Sequence, residues 1–272
     1  MSAPTAAEQA LSDGDAAGAV TLLQAQIRSQ PADPKLRVFL FQLLCVLGDW
    51  SRALNQLGVA GELDASTLAM VQTYREAIHC ETLREQVFEG LKAPLLFGEP
   101  EAWVALLIEA LLREGRGEHD IASRLRAQAF EQAPVTPGRA QGEGDPVPFQ
   151  WIADADMRIG PVLEAVVNGR YYWIPFARLT TVTIEAPVDL RDRVWMPAHL
   201  TLSNGGEVVA LLPTRYAGSQ LTDPLIALAR KTEWHEPRPG LFVGSGQRMF
   251  ATDTADLALM DLRSIHFGEP AA

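Results

Sequence analysis

Between Trp151 and Pro175 the chain packs Trp151, Tyr171, Tyr172 and Trp173 together with Asp154, Asp156, Arg158, Glu164 and Arg170. Two carboxylates two residues apart, beside an arginine, are the raw material of an acid/base pair or of an oxygen-ligand metal site. On an extended backbone Asp154 and Asp156 face the same side. The same residue types also form hydrogen-bonded ion pairs stacked on aromatic rings, which lock a small fold together. No histidine or cysteine lies in the stretch, and no nucleophile stands beside a base. The structural reading is therefore preferred, with a hydrolase or small-ligand site at Asp154 and Asp156 as the alternative. The network expected on that reading contains Trp151, Asp154, Asp156, Arg158, Arg170, Trp173, Arg191, Arg215 and Arg248.

Elsewhere the sequence offers little chemistry. His79, His119, His199, His235 and His266 form neither an HExxH pair nor another zinc spacing. There is no GxSxG elbow, no phosphate loop ending in Lys-Ser/Thr, and no GxGxxG after a strand. The segment Gly244–Arg248 (GSGQR) resembles a phosphate loop but precedes a strand, so it reads as a turn. Cys45 and Cys80 sit inside helical patterns and read as buried thiols of a reduced compartment. We therefore expect no metal, no cofactor and no enzymatic activity.

The net charge is −11, spread over both halves of the chain. Without a basic stripe, nucleic acid and anionic membrane surfaces are poor partners. The start, MSAPTAAEQALSDGD, has no positive region followed by an apolar one, and no apolar run is long enough to span a bilayer. A cytoplasmic location is the expectation.

The elements that must position these residues divide the chain. In the first half, Gly14-Asp15 and Gly48-Asp49 lie 34 residues apart, the period of a tetratricopeptide (TPR) repeat. Each glycine is followed by an alanine five residues on (Ala19, Ala53) and a leucine nine on (Leu23, Leu57). Gly117, Ala122, Ala129 and Pro134 repeat part of the pattern. Residues 64–90 read as one long helix, from an Asp64 cap to a Gly90 stop. A TPR-like helical domain over residues 1–133 follows. Helical repeats bind helices or peptides on a concave face. Residues 101–114 are apolar at ten of fourteen positions, and Trp103, Leu107 and Leu111 form one stripe. That stripe lines a partner groove or packs on the second half. Val38, Gln42 and Cys45, on a helix from Lys35 to Leu47, are further groove candidates.

Pro134–Pro148 is rich in proline and glycine, which predicts a linker without helix or central strand. After it the period changes. We expect a short helix over Pro161–Asn168, strands at Tyr171–Phe176, Thr180–Ala186 and His199–Ser203, and a hairpin at Asn204-Gly205-Gly206 leading into Glu207–Leu212. A helix from Asp223 to about Lys231 and strands at Gln247–Thr252 and Leu257–Phe267 complete residues 149–272. The class is helical repeat plus α+β: a mainly antiparallel, barrel-like sheet with one or two helices.

The aromatic-acidic stretch resembles the signature of the ImpE family, also called TagJ or SciE. So do Pro187–Ala198 (PVDLRDRVWMPA), Leu211–Ser219 (LLPTRYAGS), Ala229–Trp234 (ARKTEW), Gly244–Asp253 (GSGQRMFATD) and Asp261–Ile265 (DLRSI), in that order. The resemblance implies a repeat-like helical domain followed by an α+β barrel-like one. It also implies an adaptor of bacterial type VI secretion that binds a helix near the N-terminus of the sheath small subunit TssB. The implied role is to modulate sheath assembly or recycling by the ClpV ATPase. A generic repeat scaffold unrelated to secretion remains the other alternative.

Overall fold

The structure is a computed structural model describing residues 5–221 and 223–268. Helices come first: α1 (Ala6–Ser12), α2 (Ala16–Ser29), α3 (Pro34–Val46), α4 (Trp50–Leu63) and α5 (Leu68–Phe88). A two-residue strand, β1 (Leu95–Leu96), separates them from α6 (Ala102–Gly115) and α7 (His119–Gln132). The Gly-Asp pairs act alike at both repeats. Gly14 and Gly48 turn the chain at φ of 87° and 71°, a conformation that costs glycine little. The next aspartate caps the following helix: Asp15 accepts from the Gly18 amide at 2.7 Å, and Asp49 from the Arg52 amide at 3.3 Å. Ala19, Leu23, Ala53 and Leu57 are fully buried, so the small and large residues of each period meet between consecutive helices.

Strands dominate thereafter. β2 (Gly138–Gln141), β3 (Val147–Phe149), β4 (Ile152–Asp154), β5 (Val162–Val167), β6 (Arg170–Pro175) and β7 (Leu179–Ile184) precede β8 (Trp195–Leu202) and β9 (Glu207–Pro213). One helical turn, α8 (Pro224–Ala227), leads to β10 (Thr232–Arg238), β11 (Leu241–Gly246), β12 (Met249–Thr252), β13 (Asp256–Ala258) and β14 (Ser264–Phe267). The main sheet has nine strands in the order β1-β6-β5-β9-β8-β7-β14-β2-β3. Its pairs are antiparallel except β1 with β6. The sheet is open, which corrects the barrel-like expectation. Its edges are a two-residue strand and a strand holding Pro148, which has no amide hydrogen to give. Two small sheets, β10-β11 and β13-β12-β4, lie beside it.

Several sequence expectations are corrected. Pro161–Asn168 is not a helix but carries β5. All six residues of β5 are buried, so both faces are covered and the run shows no polar alternation. Asn168 and Gly169, at φ of 48° and 70°, form the two-residue turn that pairs Val167 with Arg170. Pro134–Pro148 holds β2 and the start of β3, and β2 is an interior strand paired to β14 and β3. Leu257–Phe267 is split by a 3-10 turn at Leu259–Asp261. The helix after Asp223 is one turn long and ends before Ala229, whose φ is 51°. β8 starts at Trp195, four residues before the expected His199. The β10-β11 hairpin was not anticipated, because Pro237 interrupts the pattern where the register shifts between His235 and Arg238.

Three apolar cores result. One unites α1 to α5 with Val194, Trp195, Ala227 and Leu228. A second fills the strand-rich half around Leu163, Phe176, Phe250 and Ile265. The third joins α5, α6 and α7 to β5 and β6 through Trp103, Leu107, Leu111, Val162, Val166, Tyr171 and Trp173. β5 therefore alternates between two cores, with Val162 and Val166 facing the helices and Leu163, Ala165 and Val167 facing away.

A buried ion network between the helices and the sheet

Alternation along β5 places Glu164 on the helix-facing row between Val162 and Val166, and its residue has no exposure. Register sets its neighbours: Glu164 lies opposite Trp173, and Val166 opposite Tyr171. The Tyr171 hydroxyl donates to Glu164 Oε1 and in turn accepts from Trp173 Nε1 at 2.8 Å. From α5, Arg84 donates Nε to Glu164 Oε1 at 2.7 Å and Nη2 to Oε2 at 3.0 Å. From the residue before β12, Arg248 donates Nη2 to the same carboxylate and Nη1 to Asp154 Oδ2. One buried carboxylate thus holds two guanidiniums, one from each half of the chain.

The network extends in both directions. Asp154 Oδ1 accepts the Asp156 amide at 2.8 Å, and Asp156 holds Arg158 through Nε at 3.0 Å and Nη2 at 2.6 Å. Glu81, one turn before Arg84, accepts Trp195 Nε1 at 2.9 Å. Arg215 is buried and forms no ion pair among the described residues. Its guanidinium instead donates to the carbonyls of Cys45 at 2.8 Å, Val46 at 2.6 Å and Ala227. Those carbonyls belong to the last turns of α3 and α8, where unpaired C=O groups carry partial negative charge. Four carboxyl groups (Glu81, Asp154, Asp156, Glu164) thus stand with four guanidiniums (Arg84, Arg158, Arg215, Arg248), a one-to-one count of acids and bases.

Burial is the largest influence on these groups. It raises Glu164, but Arg84 and Arg248 more than offset it and hold the carboxyl at about 2. Burial raises Asp154 to about 7, because Arg248 opposes it less and the carboxylates of Asp156 and Glu164 add to it. Burial lowers Arg215 to about 10 and pushes the Cys80 thiol up to about 12.

The two acids thus respond oppositely to pH. Folded Asp154 keeps a proton that the unfolded chain releases near 3.8, so its contribution to stability is complete below that value and is lost as pH rises towards about 7. Glu164 contributes fully above 4.5, and that contribution is lost as pH falls towards about 2. We expect the melting temperature of wild type minus that of Asp154→Asn to fall between about pH 4 and about pH 7 and then to level. Parallel melting curves across that range would show that Asp154 is ionised throughout.

Of the residues expected to form the network, Asp154, Asp156, Arg158, Trp173 and Arg248 are brought together, and Arg215 adjoins them through Arg84, which donates to its carbonyl at 2.9 Å. Trp151 is 42% exposed and lies outside, because it precedes β4 on the solvent side. Arg170 is exposed at the β5-β6 turn. Arg191 pairs with Asp189 and stacks over Tyr74 at 4.8 Å, a separate contact. Sequence reasoning missed Arg84, Glu81 and Trp195, and placed Glu164 in the stretch without giving it the central position. The signal for the first two was available. Val71, Tyr74, Ala77, Ile78 and Val87 form the buried face of α5, and Glu81 and Arg84 interrupt that stripe with charge.

The stripe Trp103, Leu107 and Leu111 is corrected as a partner surface. It is buried in the core shared with β5 and β6, the packing alternative weighed for it. Val38 and Gln42 do line a concave groove, together with Leu36, Phe39 and Leu190. Cys45 is fully buried. A second hollow, of about 440 Å³, is walled by Phe130, Val135, Trp151, Met157 and Pro161, with Asp154 at its side. Both Asp154 oxygens are already engaged, and among the described residues the other side chains lining that hollow are apolar apart from the Thr136 hydroxyl and the Trp151 indole N–H. Among the described residues no three His, Cys, Asp or Glu side chains are grouped to hold a metal, and no helix is long and apolar enough to cross a membrane.

Comparison with known proteins fits this architecture. A crystal structure of a Vibrio parahaemolyticus protein superposes with a TM-score of 0.88 at 25% identity, covering 98% of each chain. Residues 146–266 match the family described as ImpE protein, a span that includes Asp154, Asp156, Glu164, Arg215 and Arg248. The type VI secretion system accessory component TagJ of Pseudomonas aeruginosa is 53% identical over 262 residues, covering 96% of this chain and 90% of that protein. On this similarity, which spans the helices as well as the sheet, the chain belongs to the ImpE/TagJ family.

Proposed function

We propose that this protein is a non-enzymatic adaptor of a bacterial type VI secretion system, working in the cytoplasm on the contractile sheath. The observation that carries the reading is the 53% identity to a protein named as an accessory component of that system, extending along 96% of the chain. The site geometry supports the non-catalytic part. The four buried carboxylates are all engaged by guanidinium, indole or amide donors, which suits a folding element better than an acid/base pair. The helical half reads as a TPR-like array, and arrays of that kind hold peptides or helices on a concave face. The partner is a helix near the N-terminus of TssB, and the consequence is altered sheath assembly or ClpV-dependent recycling. Val38 and Gln42 remain as partner-facing residues of the concave side.

Calorimetry of the full chain against a peptide from the N-terminus of TssB tests this. We expect saturable, one-to-one binding in the micromolar range or tighter, on the order of −8 kcal/mol. Phe39→Ala, which removes a half-buried ring from the groove, should weaken it by roughly 2 kcal/mol. Absence of heat with the sheath peptide, from protein with an intact melting transition, would remove TssB as the partner.

A further inference from the structure

A separate hollow of about 370 Å³ lies between α2, α3 and α4. It opens on the side of α3 opposite Lys35, Phe39 and Gln42, since Arg37 and Leu40 stand about half a helical turn away from them. Ile27 and Leu40, both nearly buried, give it an apolar floor. Gln24 and Arg28 of α2, Arg37 of α3 and Gln56 of α4 supply its polar side chains. Among the described residues no carboxylate lines it, in a chain whose net charge is −11. Arg37 is poorly served there. Its Nη1 donates to Gln56 Oε1 at 3.0 Å, while its Nε is buried and has no partner. Among the described residues the only other buried side-chain polar atom in that condition is Nε of Arg126, which has Glu114 beside it at 3.4 Å. Arg37 has no such counter-ion, and Arg28 forms no side-chain hydrogen bond or ion pair among the described residues. A guanidinium partly cut off from water and facing no anion is unfavourable, and a second cation at the same hollow adds repulsion.

We propose that this hollow binds a small phosphate-bearing ligand, its phosphoryl group held between Arg28 and Arg37. Guanidinium forks match the oxygens of phosphate and carboxylate alike, so charge decides between them. Two uncompensated cations balance a phosphoryl dianion, whereas a carboxylate neutralises only one. Gln56 has its amide oxygen committed to Arg37 and its NH2 group left to donate, and Gln24 brings a second amide. These neutral donors serve the remaining oxygens without adding charge. The floor of Ile27 and Leu40 takes the carbon part of a phosphate monoester. The inference is independent of the secretion role and of the sheath partner.

The test is calorimetry on the full chain in phosphate-free, low-salt buffer at about pH 8, where a phosphate monoester is a dianion. The probes are phenyl phosphate, inorganic phosphate and acetate. We expect saturable one-to-one binding of phenyl phosphate with a Kd of about 1 mM or tighter, and acetate weaker by about tenfold or more. Arg28→Gln and Arg37→Gln should each weaken phenyl phosphate about tenfold, and Arg37→Lys should recover little of the loss. Arg28 is exposed, so its variant keeps the wild-type melting transition and decides the matter whatever Arg37→Gln does to the fold. Arg124→Gln, at an exposed arginine of α7, controls for general charge and should bind as wild type does. Phenyl phosphate binding more tightly than inorganic phosphate supports the site and identifies a monoester. Equal affinities support it and identify free phosphate. No saturation by either phosphate at about 10 mM overturns the inference. So does unchanged affinity in Arg28→Gln, an equal loss in Arg124→Gln, or acetate binding as tightly as phosphate.

Discussion

Glu164→Gln unfolds the junction between helices and sheet, at an expected cost of about 3–5 kcal/mol. The substitution changes one atom and little volume, so packing is not the cause. Wild-type Glu164 is ionised throughout the useful pH range, with its carboxyl held at about 2, and serves Arg84 and Arg248 together. Glutamine leaves one unit of positive charge uncompensated where Arg84 and Arg248 have almost no exposure. Chemical denaturation at neutral pH measures the loss. The companion variant is the double substitution Glu164→Gln, Arg84→Met, which removes one charge of each sign and so returns the wild-type balance. If charge balance is what matters, the double variant is less destabilised than the sum of the singles, by roughly 1–3 kcal/mol. Strict additivity would assign the cost to individual hydrogen bonds instead.

The second large effect is expected at Arg215. Arg215→Met removes the donors to the Cys45, Val46 and Ala227 carbonyls. The Val46 and Ala227 carbonyls are left without partners, while the Cys45 carbonyl keeps the Gly48 amide; at about 1–3 kcal/mol for each orphaned acceptor, with part recovered as the helix ends shift or admit water, a loss on the order of 3 kcal/mol is expected. Arg215→Lys should recover little, because an ammonium cannot span three acceptors with the guanidinium's fixed fork. Hydrogen exchange provides the spatial check. Protection should fall first at Gly48 and Asp49, whose amides bond to the carbonyls of Cys45 and Leu44, while the centre of α5 stays protected. A uniform loss of protection would show that Arg215 stabilises the whole fold and not this joint.

The two variants probe residues that the sequence revealed unequally. The Gly-Asp pairs, the long helix after Asp64 and the Asn204-Gly205-Gly206 hairpin were legible because each rests on a local rule of turn or cap chemistry. The aromatic-acidic stretch was legible as a cluster, since so many polar and aromatic types so close together need partners. Its geometry was not. Glu164 was placed on a helix because β5 is covered on both faces and shows no period of two. The Asn168-Gly169 dipeptide that follows it was the overlooked hairpin signal. Trp151 and Arg170 were assigned by proximity in sequence, whereas Arg84, 80 residues from Glu164, is the residue that meets it. The partner stripe was misplaced for a related reason. An apolar helix face announces that something covers it, and only the tertiary structure shows that β5 and β6 do.

The segment that matches the family profile starts at residue 146, well after Arg84. Cutting the chain there would look natural to anyone preparing the matched span alone. Such a fragment keeps Glu164, Arg248 and the aromatic pair, but loses Arg84, Glu81 and the helix ends that hold Arg215. It would carry into solution a surface of ionised and aromatic groups shaped to be covered. The same holds for exchanging halves between relatives: a graft made between α7 and β2 must match guanidinium to carboxylate across the seam. Inheritance of this protein as one indivisible length, helices and sheet together, is what a shared ion cluster enforces.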